Sequence, residues 1–69
     1  MNAKKYVIIV NTSEGTRFWV SGRKWSDEFP DAGVFHSLRD ARATAKQFGP
    51  QAFVADYELA ANGHWTQPA

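Results

Sequence analysis

The sequence predicts a small α+β fold: an antiparallel sheet with one helix packed on one face, in the order β-β-loop-α-β, with a short final strand as an optional addition. Three observations carry that reading. Two neighbouring runs of β-branched and aromatic residues are separated by turn formers, a serine-capped segment places apolar residues at helical spacing, and a later run alternates with a period of two. At 69 residues these elements must share one core, so the chain reads as a single domain spanning 1–69.

Lys5-Tyr6-Val7-Ile8-Ile9-Val10 has the composition of a strand, and Asn11, Ser13 and Gly15 after it supply a hairpin turn. The partner strand is Thr16-Arg17-Phe18-Trp19-Val20-Ser21, ended by Gly22. From Arg23 to Gly33, Trp25 and Phe29 are mixed with Ser26, Asp27, Glu28, Pro30 and Asp31, which predicts a loop anchored by its aromatics. Val34 to His36 is long enough only for a very short strand.

Ser37, with Asp40 three residues on, resembles a capping box and opens a helix from Leu38 to Phe48, which Gly49-Pro50 stops. At about 100° per residue, Leu38, Ala41, Ala45 and Phe48 form one stripe that packs on the sheet. Two alanines in that stripe let the helix lie close to the strands. From Ala52 to Leu59 the chain alternates, with Phe53, Ala55, Tyr57 and Leu59 on one face and Val54, Asp56 and Glu58 on the other, as in a half-buried strand. Asn62-Gly63 signals a hairpin turn, which would return His64-Trp65-Thr66 as the short final strand.

A single helix covers one face of such a sheet. By alternation Ile8 or Ile9, Phe18 or Trp19, and Val54 point to the other face and need a cover. Either a second copy or a partner protein covers it, or the 23–35 loop, carrying Trp25 and Phe29, folds beneath the sheet and fills it.

Composition narrows the functional classes. Hydrophobic residues make up 43% of the chain and charged residues 22%, a balance that folds. No cysteine is present, and no basic stretch leads into a long apolar run, so neither a disulfide-stapled secreted protein nor a signal peptide is expected, and the chain reads as cytoplasmic. The longest apolar run, Tyr6 to Val10, falls far short of the roughly 20 residues that cross a bilayer, so no membrane association is expected. Eight Lys and Arg against seven Asp and Glu give a formal charge of +1, so nucleic-acid binding would have to rest on local clustering.

Candidates for catalysis or metal binding are few. His36 and Asp40 are four apart, but Ser37 as N-cap leaves His36 outside the helix and no third ligand has suitable spacing. His64, beside a turn and with no activated nucleophile near it in sequence, reads as a surface histidine. Asp27, Glu28 and Asp31 lack the ordered oxygen spacing of a calcium loop and read as a solvated acidic loop. The five glycines form no phosphate-cradling pattern. No cofactor, metal or small-molecule substrate is expected, and the chain is not read as an enzyme.

Two signals point to binding. Arg17, Arg23 and Lys24 lie next to Phe18, Trp19 and Trp25, and Arg39, Arg42 and Lys46 fall on one helix flank, a pairing suited to phosphate contacts and base stacking. In addition, Trp19, Trp25, Trp65, Phe18, Phe29 and Phe35 outnumber what so small a core encloses, and tryptophan and arginine are enriched at interface hot spots. The stretch Ala32-Gly33-Val34-Phe35-His36-Ser37-Leu38-Arg39-Asp40-Ala41, followed by Ala45 and preceded by a hairpin with Phe18-Trp19 and Gly22, resembles short orphan accessory proteins of phages and prophages. That resemblance implies a binding role, inhibition of host or defence systems among the options. The Phe-x-Ser start of an Ala-rich helix after a sheet is also similar to plant-type AP2 DNA-binding domains. The leading expectation is therefore a non-enzymatic interaction module that binds a protein partner or self-associates, with Arg17, Trp19 and Trp25 as contacts. The alternative is nucleic-acid binding through Arg23, Lys24, Arg39, Arg42 and Lys46.

Overall fold

A computed structural model describes residues 4–63. It shows a four-stranded antiparallel sheet of order β3-β2-β1-β4, clad by a helix on each face. The strands are β1 (Tyr6–Thr12), β2 (Gly15–Ser21), β3 (Lys24–Ser26) and β4 (Ala52–Asp56); the helices are α1 (Leu38–Lys46) and α2 (Tyr57–Ala61).

The hairpin forms where the sequence places it. Ile9 pairs with Phe18 and Thr12 with Gly15, and Ser13-Glu14 make the turn. Gly15 has a φ of 132°, a conformation open to glycine. Thr12 Oγ1 locks the turn by donating to the Gly15 carbonyl at 2.8 Å.

The 23–33 stretch is more regular than a loop. Lys24–Ser26 adds to β2 as a third strand, with Trp19 opposite Trp25 and an irregularity between Trp19 and Ser21. Phe29–Asp31 makes one 3₁₀ turn. The short strand expected at 34–36 reduces to one bridge, in which the Phe35 and Tyr6 backbones exchange both hydrogen bonds at 2.8 Å.

Helix α1 begins as predicted, with the Ser37 hydroxyl accepting from the Asp40 amide at 3.4 Å. Ala41 and Ala45 are buried, and Leu38 and Phe48 are half-buried. Strand β4 pairs with β1 in the register Ile8 to Val54, but it ends three residues earlier than the alternation suggests. There the Asp56 carboxylate accepts from the Glu58 amide at 2.9 Å and caps α2. Tyr57 and Ala60, three apart, then face the core, whereas Leu59 is left 54% exposed. Asn62-Gly63 is accordingly the end of a helix and not a hairpin turn: the Gly63 amide donates back to the Ala60 carbonyl at 3.0 Å with φ 88°. The final strand expected at His64-Trp65-Thr66 lies outside the described residues.

Both faces are covered within one chain. On one, Val7, Ile9, Phe18 and Phe53 pack with Ala60, Phe29, Ala32, Ala55 and Tyr57. Phe29 meets Phe18 edge-on at 5.5 Å and Tyr57 at 5.2 Å. On the other, α1 lies across β1 and β4. The expectation of an uncovered face carrying Trp19 and Val54 is thereby corrected: by register those two residues share the α1 face with Ile8, and α2 together with Phe29 closes the opposite side. With a neighbour on each edge and a cover on each face, Val7 to Val10 are all buried. Each contributes on the order of 1.5–3 kcal/mol of burial.

Candidate functional site

Helix α1 sets out the basic residues. Its buried stripe at Ala41 and Ala45 turns Arg39, Arg42 and Lys46 outward, and all three are exposed. Among the described residues the only ion pair is Arg17 with Glu14, at 4.0 Å. The helix cations are exposed, with no carboxylate partner among the described residues.

The aromatics expected to be contacts are used by the fold. The Trp19 ring stacks at a tilt on Phe35 with centroids 5.0 Å apart, and its Nε1–H donates to the Gly22 carbonyl at 3.0 Å. Trp25 stands edge-on against Phe48 at 5.1 Å. Both remain half-buried. Trp25 and Phe48 form a shared wall between two shallow depressions, one reaching Arg17 and Gln51 and the other reaching Arg23 and Gln47. Arg17 and Arg23 thus each share a depression with Trp25, on either side of that wall, while Trp19, opposite Trp25 in register, packs against Phe35. Lys24, one residue before Trp25, alternates to the opposite sheet face.

Within the overall charge of +1, five of the cations gather on one side, while Lys5 lies over the Tyr57 ring on the other. Arg17, Arg23, Arg39, Arg42 and Lys46 lie on the α1 side, and the acids nearest them in sequence are Glu14, Asp27 and Asp40. Asp27, Glu28 and Asp31 border the 3₁₀ turn, Asp56 ends β4 and caps α2, and Glu58 lies in the first turn of α2, on the far side of the sheet from α1.

A larger feature was not foreseen from the sequence. Between α1 and β4 runs an open groove of about 960 Å³, with Leu38, Ala45, Pro50 and Val54 among its apolar lining and Arg42 and Lys46 at its border. Its signal in the sequence is partial: Gly49-Pro50 ends the helix and turns the chain into β4, but nothing in the residues says that β4 stands at the sheet edge. Two exposed large hydrophobics, Val34 and Leu59, lie outside it.

No group of three or more His, Cys, Asp or Glu suited to a metal ion occurs among the described residues. His36 is exposed ahead of the Ser37 cap, and His64 lies outside the described residues. Among those residues no helix is long and apolar enough to cross a membrane. These features define a small α+β domain with an open helix-strand groove and a basic face. No protein-family model, curated protein or solved structure matches the chain.

Proposed function

We propose that the protein is a non-enzymatic interaction module that acts by binding a protein partner, in the manner of a small accessory or inhibitor protein. The observation that carries this reading is the groove between α1 and β4: its apolar lining is open to solvent and two exposed cations border it. Apolar clefts edged by a few polar groups are where proteins take up ligands and peptide segments. The absence of cysteine suits a reducing compartment such as the cytoplasm. Contacts then centre on Leu38, Arg42, Lys46 and Val54, with Arg17 and Trp25 on the adjoining surface and Trp19 supporting the fold.

Selection of a random-peptide display library on the immobilised protein tests this. Enriched peptides should share a motif and shift the amide resonances of Leu38 and Val54. Enrichment no better than on bare matrix, with the protein folded, would overturn the reading.

A second reading, nucleic-acid binding, is favoured by the gathering of Arg17, Arg23, Arg39, Arg42 and Lys46 on one side. Its signature is Trp25 fluorescence quenched by single-stranded or duplex nucleic acid, with affinity falling steeply as salt rises, because phosphate contacts release counterions. Quenching that ignores salt, or none, would count against it.

A further inference from the structure

The two edges of the sheet are built differently. Strand β3 is three residues long, carries Lys24 and pairs through an irregularity in β2; short, charged and irregular edges resist pairing with other chains. Strand β4, at the other edge, is five residues of Ala52-Phe53-Val54-Ala55-Asp56, with neither proline nor lysine and its one charge at the last position.

Among the described residues, the ladder shows which backbone groups β4 leaves unpaired. Tyr6 gives both its N–H and its C=O to Phe35, so opposite Asp56 it forms a non-hydrogen-bonded pair. The pattern alternates: Val7 with Ala55 and Ile9 with Phe53 are the bonded pairs, and Ile8 with Val54 is not. The Tyr57 amide donating to the Lys5 carbonyl at 2.9 Å fits the same phase. Val54 therefore presents its N–H and C=O outward, along the edge that the groove follows.

Building on the proposed role as a protein-binding module, we infer that the groove receives an extended, carboxylate-bearing segment of a partner protein. This segment adds as a fifth strand on β4 and sets its acidic side chains against Arg42 and Lys46. Backbone pairing at an exposed edge supplies affinity, and side-chain pockets at every second residue supply selectivity. The charge of the rim chooses the partner. A second copy pairing β4 to β4 about a two-fold axis near Val54 would bring Arg42 and Lys46 against their own duplicates, whereas a carboxylate-bearing strand meets both cations favourably.

The test uses fluorescein-labelled peptides of about seven residues, enough to span the roughly 17 Å of a five-residue strand. One peptide alternates glutamate and valine, a second alternates lysine and valine, and a third is the glutamate peptide with alternate backbone nitrogens methylated. The glutamate peptide should raise anisotropy and bind about tenfold more tightly than the lysine peptide, since two exchanged charge contacts together are worth on the order of 1.4 kcal/mol. Methylation on the bonding edge should abolish binding. Val54→Pro removes the outward N–H without touching the β1 ladder and should weaken binding by about tenfold. The double variant Arg42→Glu with Lys46→Glu should reverse the preference between the two charged peptides.

No binding by the glutamate peptide, equal binding by the lysine peptide, or indifference to backbone methylation each overturns the inference. A concentration-dependent doubling of mass that Val54→Pro removes would assign the edge to a second copy and overturn it as well. Display selection that enriches non-acidic peptides at the same groove would sink this inference and leave the module reading standing.

Discussion

Replacing Gly33 with alanine adds one methyl group in a place with no room for it. An ideal Cβ there would overlap the Val20 carbonyl oxygen and come within 2.7 and 2.8 Å of the Trp19 ring carbons Cζ3 and Cε3. Those neighbours yield poorly. Val20 lies within β2, and the Trp19 ring is held by Phe35 on one side and by its Nε1–H bond to Gly22. The same residue donates its amide to the Trp19 carbonyl at 2.7 Å, so moving the 33–35 segment outward to relieve the overlap would stretch that bond. Overpacking of this kind costs about 1–3 kcal/mol, and a weakened hydrogen bond adds about 1 kcal/mol. Gly33→Ala should therefore destabilise the protein by about 2–4 kcal/mol. For a domain of this size that corresponds to a fall in Tm of roughly 8–30 °C. Urea unfolding followed by tryptophan emission measures the loss, and near-ultraviolet dichroism reports whether Trp19 changes surroundings. A change within about 0.5 kcal/mol of the parent, the range of ordinary surface substitutions, would refute the idea that Gly33 is pinned between β2 and the Trp19 ring.

Asp56→Ala should destabilise by about 1 kcal/mol through loss of the α2 cap, visible as faster hydrogen exchange at Ala60 and Ala61; Ser37→Ala should cost less, because its capping bond is already 3.4 Å long. A double-mutant cycle of Trp25→Leu and Phe48→Leu should return a coupling of about 0.5–1.5 kcal/mol for their edge-on contact, and additive losses would show that the rings do not support one another. The double variant Arg42→Glu with Lys46→Glu should leave unfolding within about 0.5 kcal/mol of the parent, since both residues are exposed and neither is ion-paired among the described residues; a larger loss in urea denaturation would mean that these cations serve the fold.

The elements that depend on local chemistry were legible in the residues. The first hairpin, the Ser37 cap and the stripe of Ala41 and Ala45 all rest on neighbours within a few positions. Helix α2 begins with the same kind of signal, an oxygen-bearing side chain two or three residues before the amide it caps. It was masked because Phe53, Ala55, Tyr57 and Leu59 happen to continue a period of two, and a helix of five residues is too short to assert its own periodicity. Strand β3, only three residues long, is likewise too brief to stand out beside Asp27 and Glu28. The site divides along the same line. The basic flank at Arg39, Arg42 and Lys46 follows from helical spacing alone. The groove depends on β4 pairing with β1 across a long stretch of chain, and no local pattern encodes which strand ends up outermost.

Because β1 sits in the middle of the sheet, its two neighbours become available at very different times while the chain is being made. The hairpin partner β2 follows at once, but β4 begins at Ala52, which a ribosome adding about 5–20 residues per second reaches only some 2–8 seconds after finishing β1. During that interval Val7-Ile8-Ile9-Val10, a run of high β-propensity and no charge, has one side of its backbone unpaired. Lys4 and Lys5, separated from it by Tyr6, are flanking charges of the kind that discourage nascent chains from pairing with one another. The protein's yield in a cell should accordingly respond more to substitution of those two lysines than its folded stability does.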